Sequence, residues 1–345
     1  MKTFHCICGQ KTFFENVHCI HCNRTLGFDS ETMELHALDS VENNAGAGQY
    51  VDAKNNTPRA FCQNFTDFQV CNWLIPQGSN KLFCRACELN HMIPQVQELE
   101  KRRAWRYMEQ AKRRLVFSLL RWQLPVESKS FSEFGMAFSF LEDKSSNPNV
   151  KEEKVFTGHA DGLITVNLAE ADDLSREKTR VELGESQRTL LGHFRHESGH
   201  YYFTRLVLNS GRLNQCREIF GDDREDYASA LEKHYSGERL DADDPNYISY
   251  YASAHPSEDW AESWAHFLHI SDTIATATDF GISSVNVYQS GTDEILDEWH
   301  RVSQILNGLN RSMGLKDAYP FVLSDAIKAK LAFVHQTISP TSATS

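Results

Sequence analysis

Apolar residues recur with a helical period over residues 96–122, and this run separates two regions of different character. The residues that recur at three-, four- and seven-residue steps are Trp105, Met108, Leu115 and Leu119. They share one face of a helix, which should end before Pro125 because proline cannot continue it. Strand-like runs follow at 134–141 and 155–168, and helical patterns then dominate to about residue 336. The pattern predicts a long amphipathic helix, a small sheet and then a mainly helical region.

The first 97 residues lack this periodicity and are rich in turn-forming residues. Eight of the nine cysteines lie within the first 87 residues. We therefore predict an α+β protein with two domains. A Cys-rich module of short strands should occupy residues 1–97, and a mainly helical domain with a small sheet should occupy residues 98–345.

Composition and charge narrow the class of protein. At 345 residues and 41% apolar content the chain can bury at least one core, and its net charge of −12 argues against a protein that coats nucleic acid. The N-terminal residues MKTFHCICGQ contain no apolar signal region, and no run approaches the roughly 18 apolar residues of a membrane span. We expect a cytoplasmic protein with no membrane partner, in which clustered cysteines bind metal rather than form disulfides.

A metal-binding motif lies in the predicted helix over residues 185–209, where residues 196–200 read HESGH. Histidines four residues apart on a helix present both imidazoles from one face, at a span that one Zn²⁺ can bridge. The glutamate after the first histidine can deprotonate water at the metal. The motif predicts His196 and His200 as zinc ligands and Glu197 as the catalytic base.

Gly199 within the motif and Arg195 just before it give two further predictions about the packing of this helix. Gly199 inside a helix costs about 1 kcal/mol relative to alanine, and close approach of another backbone would explain it. Arg195 is placed where it can face outward, while Phe194, Ser198, Gly199 and Tyr201 are uncharged and suit burial. We expect one buried face on this helix and a solvent-exposed arginine.

A catalytic zinc needs a third protein ligand and an open position. The extended form HExxHxxGxxH is absent, because Phe203 and Leu206 stand at its glycine and third histidine. Residues 255–269 offer the best alternative. Ser257 is a suitable N-cap for a helix in which Glu258 and Glu262 share one face. Carboxylates at this spacing suit one zinc ligand and one outer acceptor that orients an imidazole, and the residues alone leave either order open.

The text E-x-W-A-E at 258–262 resembles a segment of the gluzincins, whose third ligand is a glutamate on a helix after HExxH. That resemblance implies Glu258 as the ligand and Glu262 as the outer partner. It also implies that Tyr251 steadies the tetrahedral intermediate, a reasonable use of a phenol. Four other tyrosines compete for that role: Tyr201, Tyr202, Tyr247 and Tyr250. Four other nearby histidines could also be outer partners of the metal ligands, but each taken alone is interpreted as a core or surface residue: His193, His255, His266 and His269.

The cysteines form two predicted quartets. The first is Cys6, Cys8, Cys19 and Cys22, and the second is Cys62, Cys71, Cys84 and Cys87. Short paired spacings repeated within some twenty residues are typical of closed, structural Cys₄ zinc sites. The spacings of the first pair in each quartet are unusual, so ligands could interleave between quartets, or a histidine could replace a cysteine: His5, His18, His21 or His91.

Several stretches together resemble the bacterial putative zinc-binding metallopeptidase family with an N-terminal zinc ribbon. They are FFEN (13–16), LGF (26–28), CNWLIP (71–76), GLITVNLAEADD (162–173), LLGHFRHESGHYY (190–202), SEDWAESWAHFLHI (257–270), NRSMGL (310–315) and YPFVLS (319–324). The resemblance covers nearly the whole chain. It implies a double zinc-ribbon module followed by a zincin-like, gluzincin-type domain, but it supplies no substrate.

These observations predict a zinc peptidase with one catalytic and two structural zinc ions, acting on a peptide or protein substrate. A zinc-binding interaction module that cleaves nothing is the alternative, and the intact Glu197 favours the enzyme because a structural site needs no base. Residues 101–121 carry eight Lys or Arg against one acid, Glu109. Their apolar stripe favours packing on the peptidase core, so we do not expect nucleic-acid binding.

Overall fold

The computed structural model describes residues 2–41, 50–144, 150–151, 155, 157–172, 189–236, 244–319 and 322–339. The chain forms two compact units. Residues 1–120 and 125–175 make the first unit, and residues 121–124 and 176–345 make the second. Short strands in the Cys-rich region and a mostly helical remainder give an α+β fold, as predicted. No helix in the described ranges is long and apolar enough to span a membrane.

The first unit carries the strands and one long helix. The strands are β1 (Thr3–His5), β2 (Lys11–Phe13), β3 (Thr25–Asp29), β4 (Glu34–Ser40), β5 (Tyr50–Asp52), β6 (Pro58–Arg59), β7 (Asn90–Met92), β8 (Ala137–Leu141), β9 (Gly158–Ala160) and β10 (Leu163–Asn167). The helices are α1 (Gln63–Thr66) and α2 (Leu99–Arg121). Strands β1 and β2 pair as a hairpin, and β3-β4-β5-β6 form an antiparallel sheet. The third sheet has the order β7-β8-β10-β9.

Helix α2 packs on the Cys-rich module. The ring of Phe117 lies 5.1 Å from Phe14, which itself contacts Phe28, and Trp105 lies 5.7 Å from Phe68. All four residues of the predicted stripe are buried. We expected this face to pack on the peptidase core, but these aromatic contacts lie within the first unit. The sequence predicted the buried face of the helix, but not its partner.

The predicted strand over residues 155–168 is a hairpin. Asp161 and Gly162 adopt left-handed φ angles of 46° and 79°, and strands β9 and β10 pair antiparallel on either side. Asp-Gly is a favoured two-residue turn because both positions tolerate positive φ. Strand β10 also pairs parallel with β8. The apolar part of the run therefore forms β10, and the Asp-Gly turn reverses the chain before it.

The second unit is helical in its described residues. Its helices are α3 (Leu190–Phe203), α4 (Leu213–Phe220), α5 (Tyr227–Ser236), α6 (Pro256–Asp279), α7 (Thr292–Ser312) and α8 (Asp325–Ile338). A 3₁₀ turn, Tyr251–Ala254, precedes α6. Helices α3 and α6 pack closely together, and α7 and α8 also contact α6. Helix α6 is therefore central to this unit and meets the helix that carries HESGH.

Candidate metal centre and cysteine quartets

Helix α3 presents both histidines of the motif on one face. It begins after Thr189, whose side chain accepts a hydrogen bond from the Gly192 N–H at 3.0 Å. It ends in a π-helical turn, Thr204–Leu208, a feature frequent at functional sites. His196 is buried and His200 is half-buried. The local helix therefore places two imidazoles side by side, as the four-residue spacing predicted.

Helix α6 brings two carboxylates to that face, although it begins earlier than predicted. His255, rather than Ser257, is the N-cap, and its Nδ1 accepts a hydrogen bond from the Ser257 N–H at 3.1 Å. Pro256 occupies the first turn, where its missing N–H costs nothing. Glu258 lies in the first turn and Glu262 one turn later. The imidazole takes the capping role that the sequence suggested for the serine.

A glycine and two indoles control how closely the helices pack. A Cβ on Gly199 would lie 3.0 Å from Ala261 Cα and 3.2 Å from Trp264. The Trp260 indole N–H donates to the Gly199 carbonyl at 2.8 Å, and the Trp264 indole N–H donates to Ser198 Oγ at 3.1 Å. The close approach expected from the helical glycine is thus present, and two hydrogen bonds hold it.

Arg195 is buried, contrary to expectation. Its Nη2 donates to Asp272 on α6 at 2.5 Å, and its Nη1 lies 3.4 Å from His269 Nδ1. An internal carboxylate compensates the charge, so the arginine joins the two helices instead of facing solvent. The sequence could not reveal this, because the partner lies far along the chain.

Three predicted ligand atoms converge. His196 Nε2 and His200 Nε2 lie 3.2 Å apart, and Glu258 Oε2 lies 3.0 and 3.5 Å from them, respectively. Zinc bonds of 2.0–2.1 Å in a tetrahedron require ligand separations of about 3.3 Å. Glu258 Oε2 is buried and accepts no hydrogen bond of ordinary geometry from the described residues. The three donors therefore fit one zinc ion, which would satisfy this oxygen.

Glu262 occupies the other side of the first imidazole. His196 Nδ1 donates to Glu262 Oε1 at 2.7 Å, which leaves Nε2 directed toward His200 and Glu258. Burial alone would raise the pKa of Glu262, but the hydrogen bond from His196 lowers it to about 2. Burial would lower the pKa of His196, whereas Glu258 and Glu262 together raise it well above its usual value. The carboxylates thus concentrate negative charge around the imidazole, an environment suited to a cation.

Glu197 and Tyr251 lie beside the candidate ligands. Glu197 is buried, its carboxylate is 4.0 Å from His193 Nε2, and it is not among the three converging donors. The Tyr251 ring centre lies 5.8 Å from that of His196. Burial, and then the negative charge of Glu258, raises the pKa of Tyr251 well above its usual value. Its phenol therefore keeps its proton and can donate it in a hydrogen bond.

Tyr227 is a residue near the site that the sequence did not indicate. It lies at the start of α5, is 44% exposed, and its ring centre lies 5.2 Å from that of His255. Burial and the charge of Glu258 raise its pKa well above the usual value. The competing tyrosines have other surroundings. Tyr201 and Tyr202 are buried in the core, whereas Tyr247 faces Lys330 and the Tyr250 ring centre lies 4.2 Å from that of His234.

The other histidines have structural partners. His255 caps α6, and His266 Nδ1 lies 2.8 Å from the Tyr319 hydroxyl. His269 stacks on the same tyrosine ring. The described groups of converging metal donors do not include them.

The cysteines come together as the two quartets that the sequence grouped. Sγ separations are 3.5 Å for Cys6 and Cys22, 3.6 Å for Cys8 and Cys19, and 3.7 Å for Cys71 and Cys84. Four Zn–S bonds of 2.3 Å in a tetrahedron require the sulfur atoms to lie about 3.8 Å apart. Among the described residues no histidine joins either quartet. Both clusters therefore fit closed Cys₄ zinc sites.

The second quartet lies against charged residues of α2. The Cys87 thiol lies 3.6 Å from Glu109 Oε2, and Lys112 donates to the same carboxylate at 2.8 Å. Arg113 is buried and donates to the Val70 carbonyl at 2.6 Å. Burial would lower the pKa of Arg113, but Cys71 and Glu109 raise it. Part of the basic helix therefore compensates buried negative charge.

Comparison with known proteins finds matches over most of the chain. A model of putative zinc-binding metallo-peptidases matches residues 101–337, and a zinc-ribbon domain model matches residues 3–98. Uncharacterized proteins of Mycobacterium bovis and of two Mycobacterium tuberculosis strains are each 38% identical to the chain over 348 residues, covering 98% of this chain and 95% of each relative. No solved structure matches the chain. The protein belongs to the putative zinc-binding metallo-peptidase family and carries an N-terminal zinc-ribbon domain.

Proposed function

We propose that this protein is a zinc-dependent peptidase of the gluzincin type. The convergence of His196 Nε2, His200 Nε2 and Glu258 Oε2 at 3.0–3.5 Å carries the proposal. Only Glu258 approaches both Nε2 atoms, whereas Glu262 contacts Nδ1. This difference supports Glu258 as the third ligand and Glu262 as the outer partner, in preference to the reverse order.

Three zinc ions are proposed for each chain. One is held by the two histidines and Glu258, and one by each cysteine quartet. All four protein positions of a quartet are cysteines, so those sites are closed and structural. A site with three protein ligands leaves one coordination position for water. Zinc bound there would acidify water and polarise a peptide carbonyl.

The roles of the protein groups follow from their positions. Glu197 is buried beside the ligands and, as a carboxylate, accepts the proton of the attacking water and passes it to the leaving amine. Tyr251 keeps its phenolic proton and donates a hydrogen bond to the oxyanion that develops on the carbonyl. Glu262 holds His196 with Nε2 free for the metal.

The substrate is proposed to be a peptide or protein, and the location the cytoplasm. Eight cysteines grouped as thiols around two metal positions suit a reducing compartment, because metal binding requires thiolates rather than disulfides. Nucleic acid and membranes are not proposed as partners.

Conservative substitutions within the site test the proposal. Metal-replete protein should contain three zinc ions by elemental analysis, and it should cleave members of a proteome-derived peptide library unless a chelator is present. Glu197→Gln should keep all three ions while hydrolysis falls by about 10²–10⁴-fold, the usual worth of a positioned acid–base group. Glu258→Gln should lose one zinc ion together with activity. Glu262→Gln should lower the affinity for that ion by about 10–100-fold.

Two results would favour the interaction module that cleaves nothing. One is a replete protein that holds three zinc ions and hydrolyses no member of the library. The other is cleavage by Glu197→Gln at the rate of the unmodified protein, which would show that the hydrolysis does not depend on this site. Elemental analysis that finds two zinc ions or fewer would contradict the ligand assignment itself.

A further inference from the structure

One hydroxyl, that of Ser249, makes two hydrogen bonds beside the candidate metal centre. Ser249 Oγ donates to Glu262 Oε2 at 2.6 Å, and it accepts from the Ala252 N–H at 3.1 Å. Ser249 lies in the segment before the Tyr251–Ala254 turn and is half-buried. It was not among the residues that the sequence indicated.

The first of these bonds fixes the carboxylate that orients His196. Glu262 uses Oε1 for His196 Nδ1 and Oε2 for Ser249. Among the described residues, these are the two hydrogen-bond donors to this carboxylate. The terminal torsion of a glutamate is broad when nothing restrains it. Bonds to both oxygens hold the carboxylate plane, and with it the imidazole ring, in one orientation.

The second bond acts on the turn that carries Tyr251. The Ala252 N–H donates to Ser249 Oγ, so the hydroxyl holds a backbone group of the Tyr251–Ala254 turn. The same turn holds the Tyr251 ring 5.8 Å from the His196 ring. The orientation of His196 and the position of the phenol therefore depend on one side chain.

We propose that Ser249 is a positioning residue that couples the outer partner of His196 to the turn carrying Tyr251. The inference rests on the proposed function, since it assigns Ser249 to the support of that same site. Loss of the hydroxyl removes one bond from Glu262 and one from the turn. It therefore weakens the metal site and, separately, lowers turnover when the metal site is full.

Three variants test this coupling. Ser249→Ala removes the hydroxyl, and Ser249→Thr retains it. Ser253→Ala is the matched control, because Ser253 lies in the same turn and its hydroxyl donates to the Tyr250 carbonyl at 2.7 Å rather than to Glu262. Thermal melting of each replete variant establishes that it is folded.

Chelator competition and kinetics separate the two effects. Ser249→Ala should lower the affinity for the zinc ion at His196, His200 and Glu258 by about tenfold, the lower end of the range for outer partners of a metal ligand. In buffer that keeps all three sites full, its kcat on a peptide cleaved by the unmodified protein should still fall about 2–10-fold, the worth of one neutral hydrogen bond, while KM changes less. Ser249→Thr should recover most of both quantities, and Ser253→Ala should change neither.

The outcomes distinguish this inference from the proposed function. If Ser249→Ala keeps the zinc affinity and kcat of the unmodified protein, the coupling is wrong and the peptidase proposal stands. Equal losses in Ser249→Ala and Ser253→Ala would also overturn the coupling, since they would reflect the turn alone. If the unmodified protein binds only two zinc ions, both the peptidase proposal and the coupling fail.

Discussion

Replacing Gly199 by alanine should weaken zinc binding at the candidate metal centre while the protein stays folded. The new Cβ would lie 3.0 Å from Ala261 Cα and 3.2 Å from two atoms of Trp264. Carbon atoms in contact prefer about 3.5–4.0 Å, so α3 and α6 must separate by roughly 0.5–1 Å. His196 and His200 belong to α3 and Glu258 to α6, and their separations should widen by a similar amount.

The expected magnitudes follow from this displacement. Alanine favours a helix by about 1 kcal/mol over glycine, whereas overpacking a core costs about 1–3 kcal/mol. The free energy of unfolding should therefore fall by no more than about 2 kcal/mol. Metal distances are tolerated only within about 0.2 Å. We expect the affinity for the third zinc ion to fall at least tenfold, which corresponds to about 1.4 kcal/mol.

Chelator competition measures the zinc affinity, and chemical denaturation measures the stability. Gly308→Ala is the matched control, since Gly308 lies within α7 and its Cβ would have no neighbour within 4 Å. It should gain about 0.5–1 kcal/mol of stability and leave zinc binding unchanged. If Gly199→Ala behaves like Gly308→Ala in both measurements, the close approach of the two helices does not determine the ligand geometry.

Two substitutions test the charged interior, and one double substitution tests the exposed basic residues of α2. Arg113→Met should lower the free energy of unfolding by about 3–5 kcal/mol, because it removes a buried cation beside Cys71 and Glu109. Replacing the exposed Arg103 and Arg106 by glutamate should leave the stability unchanged, and retention on nucleic acid should be negligible before and after the change. A salt-dependent binding of nucleic acid that this replacement abolishes would contradict the packing role of α2. Lys330→Met should lower the free energy of unfolding, measured by chemical denaturation, by a similar 3–5 kcal/mol, because the ammonium lies 2.6 Å from the buried Asp259. An unchanged free energy of unfolding would show that this ion pair does not stabilise the fold.

The parts of the site that lie close together in the sequence were predictable from spacing. His196 and His200 share a helix face, and Glu258 and Glu262 share another, because side chains four residues apart lie one above the other. The cysteine quartets follow from paired spacings in the same way. Helix α2 was also predictable, since its apolar period depends only on its own residues.

The tertiary structure decided how helices α3 and α6 face one another. The sequence left open which of Glu258 and Glu262 contacts which imidazole nitrogen, because the answer depends on the rotation of α6 against α3. Gly199 and the indoles of Trp260 and Trp264 set that rotation. Burial of Arg195, the cap at His255, and the contacts of Tyr227 and Ser249 depend on the same packing. A periodic pattern specifies which face of an element is buried, but only packing against a distant segment selects the atoms that meet.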